Sequence, residues 1–418
     1  MSEGVKPKVL ISAYGCEPER GSEAAVGWNW ALQMSRYFQV YLVTRRSRQK
    51  AIESFLGDEQ IENLKFIYVD FPDWVIRFKR GTLAMNLYYL AWQVLAFFKA
   101  RRLIGDEGIE LAHHVSFMSF TRGSYVPFLG VKSVLGPVGG LQTVPKAGRR
   151  LMRNRFSEAI RNAGVKLFRF NPIGAIPAHY ADRIVLATGA NAGSLPDAVR
   201  EKTTIGLQVG TEAIPARVPP KSAEPIVLRW IGRMVDHKGF EILIDVLDLM
   251  KREAPDRFAK IRVVVSGSGP LSEKYHNLIK TKGLEESFEF LKWLSTEEMN
   301  DLWNQCHAFL FTSLRETTGL ALLEAMTRGV PPIVIDNGGP SEIVSEDCGV
   351  KVSGENYEKL VANYCAALND FVDDPDSLHV MGQKARERAV STYSWDAVGL
   401  QMQEIYDGLL SSPSKPSA

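Results

Sequence analysis

Short apolar runs and amphipathic stretches alternate along this chain in a regular order. Residues 8–12, K-V-L-I-S, make an apolar run of strand length. A polar loop over 13–20 follows. Apolar positions then recur at helical spacing from about 24 to 37, before a second apolar run at 40–44. That order predicts a strand, a helix and a parallel strand, the opening of a doubly wound sheet. Further strand-like runs stand at 131–135, 182–188, 226–231, 261–265, 309–311 and 333–335. Their alternation with helical patterns calls for an α/β architecture with parallel sheets. Pro215, Pro219, Pro220 and Pro225 cluster between two such series and mark a linker. The 418 residues suffice for two full cores. The expected domains are 1–205 and 206–390, then a final helix over 391–410 and a disordered tail over 411–418.

The stretch at 313–335, S-L-R-E-T-T-G-L-A-L-L-E-A-M-T-R-G-V-P-P-I-V-I, concentrates the candidate chemistry. The run at 309–311 predicts a buried strand, and a polar loop over 312–318 follows it. Gly319 opens a helical pattern that Gly329 and the Pro331–Pro332 pair stop. A helix N-terminus at Thr318, Gly319 and Leu320 offers backbone amides to an anion. Glu316 precedes that helix and Glu324 lies inside it, and the rise from Gly319 to Glu324 is ~7.5 Å. A diphosphate on the helix end would sit between two carboxylates, each able to accept hydroxyl hydrogen bonds. A ligand with hydroxyls at both ends and a diphosphate between them is a nucleotide sugar. The plainer reading has Glu316 favouring the helix dipole and Glu324 on a solvated face.

The whole string resembles the E-x7-E signature of family 4 glycosyltransferases, with S-x-x-E before it and E-A-M-x-x-G-x-P after it. The resemblance implies a GT-B fold, two Rossmann-like doubly wound domains facing across a cleft. It implies a retaining, front-face transfer from a nucleoside-diphosphate sugar, UDP- or GDP-linked, with no cofactor and no metal ion. It gives the donor sugar's hydroxyls to Glu316 and the ribose to Glu324. A nucleotide-sugar epimerase or hydrolase on the same scaffold is the alternative.

Other segments extend the likeness. G-R-M-V-D-H-K-G at 232–239 puts Arg233 and Lys238 over one loop after a strand. Arginine offers a bidentate fork and lysine a point charge. The segment resembles the family's G-R-x-x-x-x-K-G, which carries the donor diphosphate. Gly21 and Ser22 stand where the family has its amino-terminal glycine loop; read alone, they make an ordinary loop with a good helix cap. Gly269, in G-S-G-P, and Trp293 and Leu294 fall near the family's nucleotide. His113 and His114 end a predicted strand where the family places a histidine toward the substrates. Strand alternation lets only one of them face the cleft and does not choose between them.

Charge changes the picture of the partners. Residues 1–205 carry 28 Lys and Arg against 17 Asp and Glu, whereas 206–418 carry 22 against 31. Residues 83–98 are apolar apart from Asn86 and Gln93, too short to span a bilayer, with basic flanks. They predict either a long buried helix with basic ends or an interfacial helix on an anionic membrane. Residues 146–169 hold eight basic side chains and one acid, Glu158. That stretch predicts a solvated basic helix, or contact with anionic lipid or a pyrophosphate-bearing acceptor. No nucleic-acid module accompanies it. Cys16, Cys306, Cys348 and Cys365 form no paired motif, which fits reduced thiols. The expectation is a cytoplasmic enzyme, peripheral on the inner face of the membrane. Its acceptor is a glycan, a lipid-linked saccharide or a small molecule.

Overall fold

The computed structural model describes residues 6–18, 23–76, 81–117, 119–120, 122–166, 171–212, 214, 225–291 and 296–413. They divide into two units. The first comprises 1–141, 164–209 and 395–418, and the second 142–163 and 210–394.

The first unit is built on seven strands: β1 (Lys8–Ala13), β2 (Gln39–Arg45), β3 (Leu64–Val69), β4 (Leu111–Ser116), β5 (Lys132–Val138), β6 (Arg183–Leu186) and β7 (Thr203–Ile205). They run parallel in the order β3-β2-β1-β4-β5-β6-β7. Leu10 sits beside Tyr41 on one side, and Ile11 beside His113 on the other. The central strands are buried on both faces: β1 reads as a nearly continuous apolar run, and β4 carries His113 and His114 buried among apolar residues. One layer of helices includes Gly81–Glu107, whose Tyr89, Trp92, Ala96 and Ala100 join the core. The last helix, Trp395–Leu410, belongs to this unit. Trp395 meets the Trp30 ring edge-on, and Tyr406 packs against Phe38.

The second unit has six parallel strands: β8 (Ile226–Ile231), β9 (Ile261–Ser266), β10 (Phe288–Leu291), β11 (Ala308–Phe311), β12 (Pro332–Ile335) and β13 (Val350–Val352). Their order is β10-β9-β8-β11-β12-β13. The strand order reverses between β8 and β11. In open parallel sheets ligands bind beyond the carboxyl ends of the strands at that switch point. The loops that leave β8 and β11 are those of Arg233, Lys238 and Glu316.

Two expectations are corrected. Residues 142–163 pack with the second unit, not the first. Gly148 lies so close to Leu314 that an added Cβ would come within 2.5 Å of it. The Asn337 side chain also donates to the Thr143 carbonyl at 3.1 Å. At the other end, residues 411–413, expected in a disordered tail, are held: Lys132 donates to Ser412 Oγ at 2.9 Å. Among the described residues no helix is long and apolar enough to cross a membrane.

Candidate functional site

The loops after β8 and β11 are bound to one another. Trp230 Nε1 donates to Thr312 Oγ1 at 3.0 Å, and that hydroxyl donates to the Lys238 carbonyl at 2.9 Å. The Leu314 amide donates to the His237 carbonyl at 2.8 Å. Gly239 has φ 67°, and a Cβ there would meet the Thr312 carbonyl oxygen at 2.2 Å. Only glycine permits that approach. On the far side, Asn337 donates to the Leu314 carbonyl at 2.9 Å and the Gly339 amide to that of Glu316 at 3.3 Å. The loop that carries Glu316 is therefore fixed on two sides before any ligand arrives.

Four predicted groups converge on this edge. Lys238 Nζ donates to Glu316 Oε2, and Ser313 Oγ reaches the same oxygen at 3.4 Å. Both members of the ion pair are about three-quarters shielded from water. Arg233 leaves β8 exposed, with no partner among the described residues. Gly319, φ 86°, starts the helix Leu320–Thr327. The first amides of that helix have no intrahelical acceptor. Beside them the buried Thr318 hydroxyl has no hydrogen-bond partner among the described residues.

Glu324 lies one turn further along that helix. Its carboxylate has no hydrogen-bond or ion-pair partner among the described residues. Burial raises its pKa above the ordinary carboxylate value, while Arg328 and Arg229 pull it back. The carboxylate keeps acceptor capacity that no described residue uses. Arg229 is a residue the sequence reading passed over. It stands in β8 only 1% exposed, with its guanidinium 4.4 Å from the Trp303 ring centroid. A cation inside the run I-V-L-R-W-I was the available signal.

Arg315 was also passed over, although it stands inside the motif. It pairs with Glu158 at 2.6 Å. Glu158, with Arg149, Met152 and Asn162, also lines a cavity of about 280 Å³. Burial, Arg315 and Lys238 lower the pKa of His237, against Asp236, which raises it.

The remaining predicted residues are placed differently. A Cβ on Gly269 would come within 2.5 Å of the Met234 carbonyl oxygen, and its amide donates to Ser272 Oγ at 2.9 Å. It locks the loop after β9 against the loop after β8, so its amide is already used. Gly21, Ser22, Trp293 and Leu294 lie outside the described residues.

His113 and His114, in the first unit, need correction as substrate-facing groups. Both are fully buried. His113 Nε2 lies 2.7 Å from the Gly136 carbonyl, so it donates there and Nδ1 accepts from Tyr406 Oη at 2.6 Å. His114 Nδ1 lies 2.7 Å from Ser124 Oγ, and Nε2 lies 3.1 Å from Tyr89 Oη. Burial drives their pKa values down to about 3 and about 4. Alternation predicts that one ring faces outward, but helices cover both faces of the central strand β4.

Residues 212–388 match the family described as "Glycosyl transferases group 1". D-inositol 3-phosphate glycosyltransferase of Corynebacterium aurimucosum is 28% identical over 211 residues, 48% of each chain. Its counterpart in Kineococcus radiotolerans is 26% identical over 308 residues, 71% of this chain and 66% of that one. The chain spans about half the length of most of the curated relatives it matches. Two solved structures share the fold. Anabaena HepE in complex with UDP has TM-score 0.63 and 15% identity over 96% of this chain and 100% of that one. Sucrose-phosphate synthase from Thermosynechococcus elongatus has TM-score 0.65 and 17% identity over 98% and 100%. Residues 212–388 are therefore similar to the group 1 glycosyl transferases, on a chain whose fold is the GT-B fold of these solved structures.

Proposed function

We propose that this protein transfers a sugar from a nucleoside-diphosphate sugar, UDP- or GDP-linked, to a glycan, lipid-linked or small-molecule acceptor, with retention at the anomeric carbon. One observation carries the reading. The helix end at Gly319 lies between a carboxylate paired to a lysine, Glu316, and a shielded carboxylate with no partner among the described residues, Glu324. In this reading Arg233, Lys238 and the amides at Gly319 and Leu320 take the diphosphate. They stabilise the charge that grows on it as the glycosidic bond breaks, and no metal ion is needed. Lys238 would exchange Glu316 for phosphate. The freed Glu316 carboxylate then accepts from the donor sugar's hydroxyls. Glu324 accepts from the ribose hydroxyls, which satisfy it. Solved relatives captured with UDP and with UDP-glucose support a nucleotide-sugar donor.

Product analysis tests this. The protein is incubated with UDP- or GDP-sugars, with and without candidate acceptors, and the products are separated. A transferase forms a new glycoside only when acceptor is present. Release of free sugar, or conversion to an isomeric nucleotide sugar, at the same rate without acceptor would instead show a hydrolase or an epimerase.

A further inference from the structure

The helix Gly81–Glu107 is apolar on both sides. Its inner face, with Tyr89, Trp92, Ala96 and Ala100, is buried in the first unit's core. Its outer face presents Leu87, Ala91, Val94 and Phe98, spaced four, three and four residues apart. These lie within a single narrow arc of the helix. Leu87, Val94 and Phe98 are 59%, 57% and 65% exposed. No charged residue interrupts positions 81–98. The outer surface of a packed helix is ordinarily polar, and here it is not.

The stripe ends in cations. Lys99, Arg101 and Arg102 are exposed, Arg102 with Asp106 Oδ2 3.5 Å from its Nε, and helical geometry sets Arg101 and Arg102 to either side of the line through Leu87, Val94 and Phe98. Close by, the short helix Asp73–Ile76 exposes the indole of Trp74 (66%), and Phe71 just before it meets the Tyr88 ring. The helix Pro172–Tyr180 contributes Ala178 to the same core and exposes Ile173, Ile176 and Tyr180. One helical layer thus carries a large share of the unit's exposed aromatic and aliphatic side chains.

We infer that this outer layer, centred on Leu87, Val94 and Phe98, docks on the surface of an anionic lipid bilayer. Such a surface supplies both complements at once. Acyl chains at the headgroup boundary take the apolar stripe, lipid phosphates take Lys99, Arg101 and Arg102, and the indole of Trp74 suits the boundary itself. A second copy fits less well. Antiparallel pairing about the stripe's middle would set Arg101 and Arg102 against positions 84 and 83, Ala84 and Leu83, with no carboxylate at either. The inference goes beyond the transferase reading and does not depend on it.

Sedimentation with vesicles tests it, using the full chain and phosphatidylcholine with or without phosphatidylglycerol. The expected result is recovery with the anionic vesicles alone, weakened by salt. Leu87→Ser/Phe98→Ser should abolish recovery, and Arg101→Gln and Arg102→Gln should each lower the bound-to-free ratio roughly fivefold. These side chains point outward, so circular dichroism should be unchanged in each variant. Equal recovery with neutral vesicles, or wild-type recovery in the Leu87/Phe98 variant, overturns the proposal. So does a dimer, seen in sedimentation velocity without lipid, that the Leu87/Phe98 change dissolves, since that would make the stripe a contact between copies.

Discussion

Glu158 and Arg315 form an ion pair of 2.6 Å with their side chains only 12% and 20% exposed. It fastens the helix Arg155–Lys166 to the loop whose next residue is Glu316. Arg161 also lies within reach of this pair; burial lowers its pKa, and Arg315 adds to that. Glu158→Ala would leave two shielded cations beside one another. The expected loss of stability is about 2 kcal/mol. Adding Arg315→Ala should restore part of it in a double-mutant cycle read from denaturation midpoints. Strictly additive losses would mean that the two residues are not coupled.

The phosphate anchors make a second test. Arg233→Ala and Lys238→Ala should each weaken binding of the free nucleoside diphosphate, by roughly 1.5–3 kcal/mol for a charged hydrogen bond. Isothermal titration calorimetry measures both. Wild-type affinity in either variant removes that residue from the phosphate site.

The two glutamates should separate by ligand. Glu324→Ala is expected to lose affinity for nucleotide and nucleotide sugar alike. Glu316→Ala is expected to spare the nucleotide and to lose turnover and the sugar's share of binding. Equal loss of bare nucleotide in both would show the roles to be wrong. pH adds a check. Burial raises the Glu324 pKa, and hydroxyl hydrogen bonds favour the ionised form. Nucleotide affinity should therefore fall as pH is lowered, starting above the usual carboxylate range, and Glu324→Gln should flatten the profile. Without ligand the sign reverses. A raised folded pKa stabilises the fold at low pH, and that contribution fades as pH rises through it.

The paired histidines should make the first unit acid-sensitive. Their folded pKa values, about 3 and about 4, lie below the ordinary value near 6.5. The unfolded chain thus binds protons that the folded chain refuses. Stability is full above about pH 6.5 and falls with pH toward the folded values, by ~2 kcal/mol per histidine at pH 5. Denaturation at pH 7 and pH 5 should show the drop, and His113→Gln should reduce it even while lowering stability at pH 7. An unchanged pH dependence in that variant would mean that His113 is protonated in the fold.

The helix Leu320–Thr327 and the strands around it follow from local pattern. Strand and helix periods are properties of neighbouring residues. The stop at Gly329 and Pro331 and the left-handed start at Gly319 need no distant partner. The spacing of Glu316 and Glu324 on one strand–loop–helix unit is legible for the same reason. So is the parallel α/β order of both units, since each crossover repeats one local rule.

Tertiary structure decided what covers each position. Local sequence marks His113 and His114 as polar residues in a strand, but the groups that engage them come from Tyr89, Ser124, Gly136 and Tyr406, up to 293 residues away. It marks 146–169 as basic, yet packing sets residues 142–163 against the second unit and buries Glu158 on Arg315. The run at 83–98 is apolar on any reading. Only the docking of Tyr89, Trp92, Ala96 and Ala100 into the core shows which half is spent inside and which is left facing out. Apolar pattern fixes which side chains gain by burial. The partner that buries them is a long-range choice, set by which chain segments the fold brings together.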